Sequence, residues 1–568
     1  MRYGASVREL PLADRGGTTV PSPAGRTTND RQTHAARRAG RFALVASIVL
    51  GAFVALVALF YFVSAHAVPG NSDGATVILE GQSMSTGHLT LNGWALSSDS
   101  FWMIDAVVYM FAVLAAGVHA SLLNLGPALV GAAVVITGAG IVRADWRGAA
   151  GFAGMATVVA LLALPAHALA FFFLQGAMHV GTTLLCLLAF VALRTGRFGW
   201  RWAVAVILFA AGAVSDLQTI ALGVVPALLA GFVASQRCRD WRTGLPTSAA
   251  GAAGVVLAVV VREVAKAIGT FTLVSSAPRA SASQMVDNVA LAGNFVTKLF
   301  GLGPAAFETG GAPSFTDYAH GIALLLVVGG VILGVVSLIG GMAAGRDIAF
   351  DHPASWRLDD LLVLAFCGDL VVFFVLTQGD IPSDARYLTA GVIFGSILAA
   401  RLVARLTVRL LDSRQAVARW ATGLACVAAT AIVGVLATGL VCNLTTTQPT
   451  RAYSQVGALL AAHGLHEGIG DYWSSSIVTV ETNGGVCVRP VTLAADGRLV
   501  RYARESTSAW YLGQHFRFLV YNTLLPFGSV DETTAVATFG PAKRTYHVGS
   551  IEVLVWAHPF TVSAHGAS

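Results

Sequence analysis

Charge is scarce in this chain. Of its 568 residues only 12% are Asp, Glu, Lys or Arg, while 55% are hydrophobic. A soluble globular chain carries about 25% charged residues, so a water-soluble protein of this length is excluded. Lysine is nearly missing, with only Lys266, Lys298 and Lys543. The other basic residues are arginines, many in short clusters between apolar runs. A net charge of +6 distributed in that way marks membrane topology rather than a nucleic-acid face. Six cysteines, none in a CxxC pair or at zinc-ligand spacing, exclude a disulfide scaffold. There is no P-loop, no GxGxxG after a strand, no HExxH and no GxSxG. Nucleotide-driven transport and Rossmann-type redox chemistry therefore lack their motifs. No internal repeat or inverted pair of the transporter kind is visible either.

What is present is a series of long apolar runs, which predicts an α-helical polytopic membrane protein. The runs lie near 42–65, 124–142, 152–172, 179–193, 202–214, 219–235, 248–268, 320–343, 360–377, 388–404 and 421–441. They predict about eleven transmembrane helices, each needing roughly 20 apolar residues. Arginines group between alternate runs: Arg143 and Arg147; Arg194, Arg197 and Arg201; Arg237, Arg239 and Arg242; Arg346 and Arg357; Arg401 through Arg419. The other loops carry little that is basic beyond Arg279, Lys298 and Arg386. By the positive-inside rule the N-terminus is cytoplasmic and the C-terminus extracytoplasmic, in a multi-pass plasma-membrane protein. Met103–Leu122 is apolar enough to span, but a span there would turn the later arginine clusters outward. It is expected as a juxtamembrane or partly re-entrant helix on the outer face.

Three regions follow from composition. Residues 1–41 hold eight arginines against Glu9, Asp14 and Asp30 and read as a disordered basic cytoplasmic tail. Residues 42–442 form the membrane domain, with an outer loop at 69–102. Residues 443–568 read as a small extracytoplasmic α/β domain. Its expected strands are Ser476–Thr482, Val486–Val491, Phe516–Tyr521, Thr533–Phe539 and Ile551–Trp556, with a short helix at Tyr453–His463. Cys442 and Cys487 are read either as a pair or as two free thiols.

The outer loop is the segment richest in chemistry. From Asn71 to Asp105 there are four acids, Asp73, Glu80, Asp99 and Asp105, without one Lys or Arg. Asp73 follows the first span, and Asp105 opens the apolar juxtamembrane helix. A part-desolvated carboxylate has a raised pKa and is a better proton acceptor. The plainer alternative is that the loop excludes basic residues for topology and its acids are solvated surface.

The same loop contains Gly87-His88-Leu89-Thr90-Leu91-Asn92-Gly93-Trp94 and then Ser100-Phe101-Trp102-Met103-Ile104-Asp105. Further on come Gly470-Asp471-Tyr472-Trp473 and Val488-Arg489-Pro490. With an Asp close behind the first span, this pattern resembles the GT-C class of integral-membrane glycosyltransferases, in a branch common among high-GC actinobacteria. The resemblance implies a polyprenyl-phosphate-sugar donor used on the extracytoplasmic face, with Asp73 at the catalytic acidic position of the first loop. In that class the position is often a pair of acids, whereas here Ser72 and Gly74 flank the aspartate. Asp105, Glu80 and Asp216 are candidates for the second carboxylate.

Inverting glycosyl transfer needs a base for the acceptor hydroxyl and cations for the departing lipid phosphate. Arg262 and Lys266 lie four residues apart on one helical face, with Glu263 beside them. Arg386 and Tyr387, in Ser383-Asp384-Ala385-Arg386-Tyr387, open the run at 388. Arg262, Lys266 and Arg386 are the phosphate-clamp candidates; alternatively the first two snorkel to headgroups and pair with Glu263. His179, at the start of its span, could hydrogen-bond an acceptor sugar. Asp216, in a turn that needs polar residues in any case, reads as a helix cap before it reads as a catalyst. Asp369 is the acid deepest in an apolar run.

The expected function is thus a membrane glycosyltransferase that moves a sugar from a polyprenyl-phosphate donor to a glycan, lipid or protein acceptor. Asp73 would be the base, and Asp105 would orient the acceptor or a divalent metal. A transporter or flippase of lipid-linked intermediates, or a non-catalytic envelope scaffold, are the alternatives. A flippase would place polar residues through several spans, and the runs here hold few besides Asp369.

Overall fold

A computed structural model describes residues 28–274, 279–302, 314–344, 355–377, 379, 381–412, 429–441, 444 and 452–564. Residues 1–52 and 53–568 form two units. The described part of the first is the beginning of a helix, Thr28–Ala67, that starts within the stretch expected to be disordered. Residues 1–27 lie outside the described residues.

Six described helices are long and apolar enough to cross a membrane: Phe42–Ala67, Leu122–Asp145, Ile220–Cys238, Trp241–Ala267, Phe315–Ala343 and Ser383–Asp412. A seventh would be the pair Gly148–Ala163 and His167–Phe173, bent by 89°. The single run expected at 152–172 is therefore broken. Pro165 sits at the break, where it removes a backbone donor and ends the first helix. Val180–Leu193, Trp200–Ser215 and Ala429–Val441 are shorter apolar helices. Ser355–Leu376 carries Arg357, Asp359, Asp360 and Asp369, which lower its hydropathy. Length and composition alone thus account for six or seven of the eleven expected spans. Part of the run at 421–441 lies outside the described residues. Asp105–Ala116 is a separate 12-residue helix ending at Gly117. At 1.5 Å per residue it is about 18 Å long, well short of a hydrocarbon core of about 30 Å.

Arginines that the sequence assigned to a surface loop are folded in. Arg401 is completely buried and bridges two acids, Asp359 at 2.6 Å and Asp145 at 2.8 Å. Arg405 meets the other oxygen of Asp359 at 2.5 Å. Arg237 meets Asp360 at 3.0 Å. The helix Thr389–Asp412 simply continues past the apolar run, carrying its arginines against acids of neighbouring helices. Buried ions persist only with such partners.

The C-terminal region is a six-stranded mixed sheet in the order β5-β4-β3-β7-β9-β8. Its strands are β3 (Glu467–Gly470), β4 (Cys487–Leu493), β5 (Leu499–Arg501), β7 (Phe516–Asn522), β8 (Arg544–Val548) and β9 (Ile551–Phe560). The helix Ala452–Ala462 stands where one was expected. Two expected strands are helices instead. Tyr472–Glu481 is capped by Asp471, whose side chain accepts from the Ser474 N–H, and Glu532–Phe539 starts with a capping box at Asp531. Cap chemistry and burial on all sides outweigh the β-branched run Ile477-Val478-Thr479-Val480. Cys487 is a free thiol, and Cys442 lies outside the described residues.

Several contacts join this region to the first loop. The loop forms a helix, Ser72–Ser85, against which Tyr472–Glu481 packs. Thr76 Oγ1 donates to Ser476 Oγ at 2.8 Å, and Ser72 Oγ donates to the Trp473 carbonyl at 3.0 Å. Ile78, Ile477 and Val480 share one apolar cluster there. A small sheet, β2-β1-β6, adds backbone pairing from three distant segments. β1 (Trp94–Leu96) runs parallel to β2 (Thr272–Leu273) and antiparallel to β6 (Ser506–Thr507). On its other side the Ser72–Ser85 helix lies hard against Asp105–Ala116. A Cβ on Gly81 would come within 2.8 Å of the Tyr109 and Met110 backbone, so only glycine permits that approach.

Candidate active site

The first residues beyond the N-terminal helix build one wall of a cleft. Asn71 caps Ser72–Ser85 by accepting from the Gly74 N–H at 2.9 Å, which sets Asp73 in the first turn. Ser97, Asp99, Ser100 and Phe101 form a second wall, and Ala177 to His179 a third. Arg386 enters from the 3₁₀ turn Pro382–Leu388. Tyr472, Arg504 and Glu505 come from the C-terminal region. The cleft holds about 570 Å³ of empty space, open mouth included.

Each of these groups is held in place. The Tyr472 hydroxyl donates to the Asp73 carboxylate. Glu505 Oε1 accepts from the Ser97 N–H at 2.8 Å, while its own N–H donates to the Ala95 carbonyl at 2.7 Å. Arg386 donates to the Tyr387 hydroxyl at 3.0 Å and lies 4.8 Å from that ring's centroid, leaving its Nε without a partner. His179 Nδ1 meets Asp216 Oδ2 at 2.8 Å, and the ring stacks on Tyr387 at 5.7 Å. Asp216 also accepts from Thr182 Oγ1 at 2.5 Å and from the Gln218 N–H at 2.9 Å. Three lining residues, Phe101, Ala177 and Glu505, have φ of 50°, 57° and 56°. Non-glycine residues in that left-handed region cost energy and persist where the surroundings over-determine them.

Burial governs the acids. It raises the Asp73 pKa above the usual aspartate value, against the Tyr472 hydrogen bond and the charges of Arg386 and Arg504. Asp99 is raised by burial and then by the Asp216 charge, with His179, Arg386 and Arg504 opposing. Glu505 is raised by burial against its bonds to Ser97 and the nearby Arg504. The cleft thus sets basic carboxylates beside two guanidinium groups, a combination suited to taking a proton while an anion is held.

The structure brings Asp73, His179 and Arg386 to this one cleft, with Tyr387 and Asp216 directly behind them. Asp105 and Glu80 lie behind the wall rather than in it. Asp105 is buried, its pKa pushed up to about 7 by desolvation and then by the Asp216 charge. Glu80 is completely buried, and desolvation followed by the neighbouring Glu505 carboxyl raises its pKa well above the usual value. Arg262 and Lys266 are not part of the cleft. Arg262 donates to the Val214 carbonyl at 3.4 Å, and Lys266 pairs with Glu263 at 2.6 Å with both side chains exposed. Asp369 accepts from the Gly391 N–H at 2.7 Å, in a separate apolar groove.

Three lining residues, Asp99, Arg504 and Glu505, were not among the candidates. Asp99 is one of the four acids of the outer loop, so the loop held the signal. Arg504 and Glu505 belong to no motif quoted above and reach the cleft only through the β1–β6 pairing. Among the described residues no group of three or more His, Cys, Asp or Glu side chains is arranged to hold a metal ion.

No family model matches the chain, and no curated protein matches it in sequence. Solved structures do match. ArnT from Cupriavidus metallidurans in the apo state aligns over 93% of this chain and 100% of its own, with TM-score 0.52 and 14% identity. The fold is GT-C-like. ArnT bound to undecaprenyl phosphate aligns over 93% of this chain and 99% of its own, with TM-score 0.49 and 13% identity. The archaeal oligosaccharyltransferase AglB from Archaeoglobus fulgidus, in complex with an inhibitory peptide and a dolichol-phosphate, covers 87% of this chain and 71% of its own. Its TM-score is 0.44 and its identity 9%. At these identities the likeness is one of fold.

Proposed function

We propose that this chain is a multi-pass membrane glycosyltransferase that uses a polyprenyl-phosphate-linked sugar at the Asp73 cleft. The observation that carries the reading is the placement of Asp73 between Tyr472 and two guanidinium groups, Arg386 and Arg504, in a single cleft. ArnT, whose fold the chain shares, has been solved with undecaprenyl phosphate. The N-terminus is cytoplasmic in this reading, and the cleft opens on the extracytoplasmic side.

In the reaction the acceptor hydroxyl oxygen attacks the anomeric carbon while the bond from that carbon to the phosphate oxygen breaks. The bonding pair leaves with the lipid phosphate, and the hydroxyl proton passes to Asp73. The configuration inverts, as a single displacement requires. A raised carboxylate pKa strengthens the base. Arg386, with its free Nε, and Arg504 take the charge that gathers on the phosphate. His179 is fixed by Asp216 and Tyr387 and positions the acceptor. Asp105 and Glu80 support the wall that carries these groups.

Purified protein supplied with polyprenyl-phosphate sugars of varied headgroup tests the reading. A new glycosidic bond, lost in Asp73→Asn, is the expected result. Movement of the lipid-linked sugar across a vesicle bilayer with no new bond would instead identify a flippase.

A further inference from the structure

A second cleft shares the β1–β6 segments with the first. One wall is the far end of the first loop, with Gln82, Ser83, Thr86, His88 and Asn92. The other is the C-terminal region, with Cys487, Arg489, Thr507 and Trp510. It holds about 1000 Å³ of space including its open mouth. The Asp73 reaction uses none of these groups.

The lining has an unusual balance. Hydroxyl, amide and imidazole groups are plentiful, yet among the described residues no Asp or Glu lines the cleft. Its one guanidinium, Arg489, forms no ion pair or side-chain hydrogen bond among the described residues. It lies 4.3 Å from the centroid of the Trp510 ring. A guanidinium stacked on an indole keeps its in-plane N–H donors free, in the fork that matches a carboxylate. Trp94 packs edge-on against Trp510 at 4.9 Å and also lines the cleft. Aromatic rings beside many hydrogen-bonding groups suit a pyranose, which is apolar on its ring faces and polar at its rim.

We infer that this second cleft binds an anionic saccharide, its carboxylate on Arg489 and its ring against Trp510, which the buried Trp94 backs. That the saccharide belongs to the acceptor glycan rests on the glycosyl-transfer reading; the binding itself does not. The geometry links the two sites. Trp94 pairs with Thr507 and both line the second cleft, while Ser97 and Glu505 on the same two segments line the first. Two or three residues of extended chain span roughly 7–10 Å. A glycan seated on Trp510 would therefore have its next sugars within reach of Asp73.

The test uses the full-length protein in nanodiscs and three probes: a glucuronic-acid-containing disaccharide, its methyl ester, and inorganic phosphate. Binding is read by tryptophan fluorescence and by protection of Cys487 from a maleimide, with Cys487→Ser as the labelling blank. The acid should bind and protect Cys487, and the ester about tenfold more weakly, the size of one charge-assisted hydrogen bond. Arg489→Gln should weaken the acid by the same factor and leave the ester unchanged. Arg489→Lys should restore part of the difference and shows that the fold survives. Equal binding of acid and ester, or undiminished binding in Arg489→Gln, overturns the proposal. So does phosphate binding as tightly as the disaccharide. Asp73→Asn should bind the acid normally. If the wild type binds it yet forms no glycosidic bond when polyprenyl-phosphate sugars are also supplied, the catalytic reading fails and the saccharide site stands.

Discussion

Tyr472 donates its hydroxyl proton to the carboxylate of Asp73 across 399 residues of sequence. The bond joins the first loop to the C-terminal region at the centre of the cleft and bears directly on the proposed base. It stabilises the ionised carboxylate and so opposes the rise that burial imposes on Asp73. Activity that needs an ionised Asp73 falls as the pH drops through that raised pKa. In Tyr472→Phe the opposing bond is gone, the pKa rises further, and the acid limb of kcat/KM moves to higher pH. Asp73→Asn should lose about 10²-fold or more in kcat, the usual scale for a missing general base. An unmoved acid limb in Tyr472→Phe would remove Asp73 as the titrating group.

The two guanidinium groups should differ in weight. Arg386 is half-buried and stacked on Tyr387, whereas the Arg504 side chain is 46% exposed. A charge in lower dielectric interacts more strongly with an anion. Arg386→Gln should raise the donor KM about tenfold or more, and Arg504→Gln by less and with greater sensitivity to salt. Arg386→Lys should restore only part of the loss, since lysine keeps the charge but supplies neither the fork nor the stacking. Donor saturation curves at low and high ionic strength measure both effects.

The scarcity of charge made part of this site legible in the sequence. Once topological arginines are set aside, few ions remain, and Asp73, His179 and Arg386 are among those that share the cleft. Arg262 and Lys266 belong to the same short set but meet a carbonyl and Glu263 instead. A spacing of four places both on one helical face without saying what that face meets. Arg504 and Glu505 were illegible for another reason: their position depends on β6 pairing with β1, about 410 residues away, and that pairing has no local signature. The Ser476–Thr482 stretch shows the reverse, since a local signal for a helix lies just before it. Asp471 with Ser474 three residues on is an N-cap, and it outweighed the β-branched residues that followed.

Asp471 joins that cap to the sheet. Its oxygens accept from the Ser474 N–H at 2.9 Å, the Ser474 hydroxyl at 2.8 Å and the Asn522 N–H at 2.9 Å. β3, the following helix and β7 are thereby tied at one carboxylate, directly before Tyr472. An asparagine has only one oxygen to accept with, and its amide would face a donor. Asp471→Asn should cost about 1–3 kcal/mol in unfolding stability, the scale of a buried donor left unpaired. It should also lower kcat, because Tyr472 loses its anchor. A thermal melt in detergent together with an assay at saturating substrate separates the two effects.

Glu80 should show its state through the pH dependence of stability. It is completely buried beside Glu505, and burial together with that neighbouring acid favours its neutral form. Above the ordinary glutamate value the unfolded chain releases this proton while the folded chain keeps it. The folded state then binds more protons, so unfolding free energy falls as pH rises across the interval between the two values. The slope is at most about 1.4 kcal/mol per pH unit. Glutamine is a neutral isostere with no proton to lose. Glu80→Gln should therefore fold with near-wild-type stability at acidic pH and lose less stability on the way to neutral and alkaline pH. Glu80→Ala should lose stability at every pH, because it leaves a cavity at a fully buried position. Denaturant melts across the pH range would decide it: identical slopes for wild type and Glu80→Gln would mean that Glu80 is ionised in the folded protein.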